Sequence, residues 1–111
     1  MNDIPVQPAP ALIWCPFPNL DSAQRISDLL LDEELIGCAN LMPALISTFQ
    51  WDGKRDAAEE TGALFKTNSA LLDKAIERIE ALHPYDQPAI LGWVCDGSSR
   101  GTANWLGKIG A

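Results

Sequence analysis

The sequence predicts an α+β fold: a ferredoxin-like βαββαβ sandwich, with two helices laid over one antiparallel sheet. Two observations carry this. Apolar stretches suited to strands stand at 11–15, 38–51, 61–67 and 89–95. Two stretches with apolar residues three and four apart, the mark of an amphipathic helix, separate the first strand from the second and the third from the fourth. Right-handed crossovers then put both helices on one face of the sheet. The other face is left bare, and an apolar sheet face needs cover, most simply from a second copy of the chain.

Each element has its own justification. Residues 1–10 contain Pro5, Pro8 and Pro10, which cannot donate to a ladder, so they form an extended or disordered arm outside the core. Residues 11–111 make a single domain. "ALIWC" (11–15) is continuously apolar, as in a strand buried on both faces, and Pro16 and Pro18 are expected to stop it. Asp21 or Ser22 caps the first helix, which presents Ala23, Ile26, Leu29, Leu30 and Glu33 on one side and ends before Gly37. "CANLMPALISTFQW" (38–51) is a long strand that Pro43 marks as bulged or at an edge. Asp52-Gly53 turns the chain in a hairpin, with 61–67 as the returning strand and "RDAAEE" as a polar flank. The second helix starts near Asn68 or Ser69 and buries Leu72, Ala75, Ile76, Ile79 and Leu82. It stops at His83, because Pro84 disfavours helical geometry in the residue before it. "AILGWVC" (89–95) is the last strand, followed by a loop at 96–101 and a final helical turn or two.

Charge narrows the partners. Fifteen acidic and eight basic side chains give a formal charge of −7, spread along the chain with no basic stripe. Phosphate backbones and anionic lipid surfaces repel such a molecule, so neither nucleic acid nor membrane is an expected partner. No apolar run approaches the roughly 20 residues of a membrane span, and "MNDIPVQPAP" lacks the pattern of a signal peptide, so a cytoplasmic location is expected. Cys15, Cys38 and Cys95 are an odd number without CxxC or CxxH spacing, which points to reduced thiols. At 111 residues the chain buries a modest share of its surface, another reason to expect an oligomer.

Few residues carry chemistry. Cys15 ends the first strand and the sole histidine, His83, ends the second helix, and those ends can meet at one edge of this fold. A thiolate and an imidazole suit copper or zinc, so the two are the candidate metal ligands, with further ligands needed from Asp86, the acidic flank or a neighbouring subunit. The plainer readings are a buried thiol for Cys15 and a helix-ending residue favoured by the macrodipole for His83. Cys38 and Cys95, inside strands, are expected to be buried. Trp51 beside the hairpin reads as an interface anchor. There is no phosphate cradle, GxSxG elbow or HExxH, and an enzyme is not expected.

"WCPFP", "GCANLMPALISTFQWDGK", "ETGALFKT" and "LHPYDQP", in that order, resemble the CutA divalent-cation-tolerance family over about residues 11 to 107. The resemblance implies a ferredoxin-like fold, a tight homotrimer with sheet edges pairing between subunits, and binding of copper or another divalent cation in metal tolerance, without a catalysed reaction. Glu60, Lys66 and Tyr85 match polar positions of the family motifs and are candidates to line a cleft between subunits. Ala89 stands where the family pattern has a glutamate, and Lys108 where it has an aromatic residue. The alternative function is a non-catalytic trimeric scaffold or small-molecule sensor that uses the intersubunit cleft.

Overall fold

Strand β1 (Pro10–Phe17) is central in the computed structural model, which describes residues 7–111. It alternates buried and half-buried side chains, and pairs on one side with β3 (Lys54–Asn68) and on the other with β4 (Leu91–Val94). Strand β2 (Cys38–Trp51) pairs with β3, so the antiparallel sheet has the order β2-β3-β1-β4. Helices α1 (Leu20–Asp32) and α2 (Leu72–Leu82) complete the βαββαβ order, and α3 (Arg100–Gly107) follows β4. The expected fold class stands. Of the expected arm, residues 1–6 lie outside the described residues. The sheet begins at Pro10, whose carbonyl accepts the Cys95 amide at 2.9 Å.

The core forms where the helices cover the sheet. Ile13, Cys15 and Phe17 of β1 and Ala63 and Phe65 of β3 point to the same side as Ala23, Ile26 and Leu30 of α1 and Ala75 and Ile79 of α2, and all are fully buried. Burying a large apolar side chain stabilises by about 1.5–3 kcal/mol, so this cluster is the main favourable term of the chain. Gly92 belongs to the packing: a Cβ there would stand 2.9 Å from the δ carbons of Leu72 and Ile76, so glycine lets α2 close onto β4.

Several boundaries differ from expectation, each for a local reason. Strand β1 runs through Pro16 to Phe17. By strand alternation the Pro16 nitrogen points toward the β4 side, as the Pro10 carbonyl does. There β4 has already ended, its last pairing being Leu91 with Trp14. No ladder bond is lost, so proline is tolerated. Asn19 caps α1, its side chain accepting the Ser22 amide at 2.8 Å, which leaves Asp21 and Ser22 inside the helix. Helix α2 starts at Leu72, because Asn68 completes β3 and its side chain accepts the amides of Ala70 and Leu71 while donating to Leu106 and Ile109 of the C-terminal segment. Strand β4 is shorter than 89–95: it comprises Leu91–Val94, which pair with Ala11–Trp14 of β1.

The largest difference is the hairpin. "RDAAEE" is part of β3, which continues to a tight turn with Asp52 and Gly53 at φ 53° and 74°, the left-handed pair of a type I′ turn. The register slips between Met42 and Leu45, and Ala44 takes φ 62°, so Pro43 lies in the bulge its position predicts. Beyond Thr61, the partner of Phe17, β3 has no third strand beside it. Residues 45–60 are therefore a two-stranded ribbon, and the molecule measures 60 × 26 × 23 Å. Ile46, Phe49 and Trp51 are 72%, 42% and 60% exposed.

Candidate functional site

The break between the ribbon and the helix-covered body is where the candidate residues meet. His83 ends α2 in an extended conformation, and its ring stacks on Phe17 with centroids 4.5 Å apart. Its Nδ1 accepts the Tyr85 amide at 3.1 Å, and its Nε2 lies 2.8 Å from the Pro16 carbonyl oxygen. An amide only donates and a carbonyl only accepts, so Nδ1 is the bare nitrogen and Nε2 carries the proton. His83 is therefore a neutral imidazole with both nitrogens used. Burial is the main cause that holds its pKa below the ordinary value, against smaller opposing effects of the Pro16 bond and the Glu60 charge. The macrodipole reading, which needs a cationic ring, is corrected: the histidine joins two segments of chain.

The second joined segment brings Tyr85 over the sheet. Its hydroxyl donates to Glu60 Oε2 at 2.8 Å, and its ring lies 5.0 Å from the His83 ring. Burial, then the Glu60 hydrogen bond and charge, push the Tyr85 hydroxyl up to about 12, so it remains a donor at neutral pH. Cys15 is fully buried on the core side of β1, and its thiol donates to the same Pro16 carbonyl at 3.5 Å. Burial, with the Glu60 carboxylate adding to it, pushes the thiol up to about 12. Pro16 is thus the hub that Cys15 and His83 share.

Around this hub a cleft of about 530 Å³ opens toward the ribbon. Pro16, Phe49, Trp51, Ala58 and Ala89 form its apolar wall, and Ser47, Glu60, Tyr85 and Gln87 its polar one. Of the sequence candidates, Glu60, Tyr85 and Trp51 line the cleft, whereas Cys15 and His83 stand behind its wall, bonded to the Pro16 carbonyl. Lys66 does not join them. It lies opposite Leu12 and Cys38, six residues along β3 from Glu60 and so roughly 20 Å away at strand rise. Lys108 is the exposed C-cap of α3. Cys38 and Cys95 are half-buried, not buried as expected, because each sits at the end of an edge strand. Phe49, Ser47 and Gln87 were missed from sequence. The two-residue spacing of Ser47, Phe49 and Trp51 along β2 is the signal that groups three of these walls on one face.

Cys15 and His83 as arranged do not fit a metal ion. Neither His83 nitrogen has a free lone pair, the thiol is held protonated, and among the described residues no three His, Cys, Asp or Glu side chains converge on one point. A site using both ligands requires release of the Tyr85 amide and donors from elsewhere.

Comparison with known proteins places the chain clearly. The CutA1 divalent ion tolerance protein family matches residues 11–108. A Pyrococcus horikoshii divalent-cation tolerance protein CutA is 38% identical over 95 residues, 86% of this chain and 92% of that protein. The chloroplastic protein CutA of Arabidopsis thaliana is 27% identical over 86% of this chain and 52% of its own length. In the crystal structure of the divalent ion tolerance protein CutA1 from Ehrlichia chaffeensis the same fold recurs with a TM-score of 0.85 at 30% identity, covering 91% of this chain and 94% of that one.

Proposed function

The chain belongs to the CutA1 divalent ion tolerance protein family, and from that premise we propose that it serves divalent-cation tolerance as a non-catalytic, homotrimeric cytoplasmic protein that binds its ligand at the Pro16 hub. The observation that carries the reading is the convergence of three chain segments: Cys15 of β1 and His83 after α2 both bond the Pro16 carbonyl, and Tyr85, from the same segment as His83, meets Glu60 of β3 in the cleft beside it. Support for assembly is the two unpaired outer edges, β2 and β4, together with the apolar side chains Ile46, Leu91, Trp93 and Val94 left exposed. Trp51 is the interface anchor of that reading, at the outer end of β2. Free thiols at all three cysteines accord with a reducing compartment.

Copper is the finer form of the proposal, with Cys15 and His83 as ligands and Tyr85 displaced. Calorimetric titration of the reduced protein with Cu(II), and separately Cu(I), tests it. About one ion per subunit, lost in both Cys15→Ala and His83→Ala, is the supporting result; binding indifferent to both variants removes these ligands.

The engagement of both His83 nitrogens favours a second reading, in which the cleft takes a small molecule and His83 holds Tyr85 in place. Under it, His83→Ala weakens ligand binding without any metal being present.

A further inference from the structure

Glu60 is an unusual residue for the wall of an apolar cleft. It is 8% exposed, so almost all of it has left water, and a carboxylate is withdrawn from water only at considerable cost unless something compensates it. Tyr85 supplies one hydrogen bond, to Oε2. Oε1 has no protein donor among the described residues, and no buried side-chain oxygen there lacks a partner, so Oε1 is the part of Glu60 that still opens outward. No lysine, arginine or histidine lines the cleft, and no second carboxylate does.

The charge of the hollow is therefore that of one carboxylate, and its complement is a cation. A metal ion needs several donors around it, and one carboxylate supplies too few. What surrounds Glu60 is instead apolar and aromatic: Phe49, Trp51 and Tyr85, with Pro16 and Ala58. Aromatic faces attract cations, and an apolar wall rewards a ligand that carries hydrocarbon beside its charge. We propose that the cleft binds a small organic ammonium ion, its charged nitrogen at Glu60 Oε1 and its hydrocarbon body against Phe49 and Trp51. The volume of about 530 Å³ suits a ligand of ordinary metabolite size. This rests on the small-molecule reading of the cleft given above and names the class of its ligand.

The test is a titration of the full-length protein, in its native assembly, with phenethylammonium, and in parallel with the neutral and anionic analogues 2-phenylethanol and 3-phenylpropionate. Binding is followed by calorimetry and by the indole N–H resonances of the tryptophans. The expected result is binding of the ammonium ion alone, with a shift of the Trp51 signal and a loss of about tenfold in affinity in Glu60→Gln, which keeps the Tyr85 contact. If that variant does not fold, Phe49→Leu in the exposed ribbon serves instead, with a loss of a few-fold expected from the missing ring. Equal binding of the alcohol or the carboxylate overturns the ammonium assignment and leaves the small-molecule cleft standing. No binding by any of the three, including the case in which a second copy fills the cleft, overturns the ammonium proposal and the small-molecule reading together.

Discussion

The body of the molecule and its ribbon share strands β2 and β3, yet they obtain burial differently. In the body, Ala63 and Phe65 of β3 lie under α1 and α2 and between β1 and β2, and are fully buried. Farther along the same strand, residues 54–59 meet only β2, and both faces of that ribbon see water. A two-stranded ribbon is marginal by itself, and one with exposed Ile46, Phe49 and Trp51 is more so. The body can be understood from one chain, whereas the ribbon asks for a neighbour. Glu60, where β3 passes from one regime to the other, pairs with Leu45 of β2 and has its carboxylate bonded by the Tyr85 hydroxyl.

The contrast can be broken by substitution. Phe65→Ala opens a cavity in the body, where nothing can refill it, and should destabilise by ~3–5 kcal/mol in a denaturant titration; a loss below 1 kcal/mol means the core is not where the helices meet the sheet. If the proposed homotrimer forms through the ribbon, Ile46→Lys should leave the far-ultraviolet circular dichroism of the subunit unchanged but dissociate that trimer at concentrations about tenfold higher than wild type in analytical ultracentrifugation. An unaltered sedimentation profile there would detach the ribbon from assembly. The smallest effect is at the boundary. Because His83 titrates below its ordinary 6.5, the unfolded chain takes up that proton first as pH falls. Stability from this residue is complete above about 6.5 and declines as the pH drops below that value. His83→Gln should flatten the change in unfolding midpoint between pH 7.5 and 5.5, and a wild-type midpoint that is itself flat over that interval refutes the neutral, doubly bonded imidazole.

The same contrast decides what was readable in advance. Helix α2 was recognisable because Leu72, Ala75, Ile76 and Ile79 repeat at the spacing of a face packed on a sheet, and the Asp52-Gly53 turn because its backbone geometry is demanding. "RDAAEE" gave no strand signal, since residues on a ribbon wet on both sides need not alternate. Pro16 predicts a stop in the sequence, whereas its tolerance in the strand depends on where β4 ends, some 75 residues later. Cys15 and His83 were expected near one another, and Pro16 does connect them. The bond from Tyr85 to Glu60 joins residues 25 apart in sequence and has no local signature. Lys66, matched to the same motifs, points out that a shared strand is no guarantee of a shared site.

Cys15 has a practical consequence for following this protein in solution. With its thiol pushed up to about 12 by burial and no exposed surface, Cys15 carries almost no reactive thiolate at pH 8, and an alkylating reagent has no path to it. Cys38 and Cys95 are both partly open. In a brief pulse of iodoacetamide, the two outer cysteines are modified on the folded chain and the third only when β1 leaves the core. The mass added to the third cysteine is thus a built-in clock for global opening, carried by the native sequence without any label.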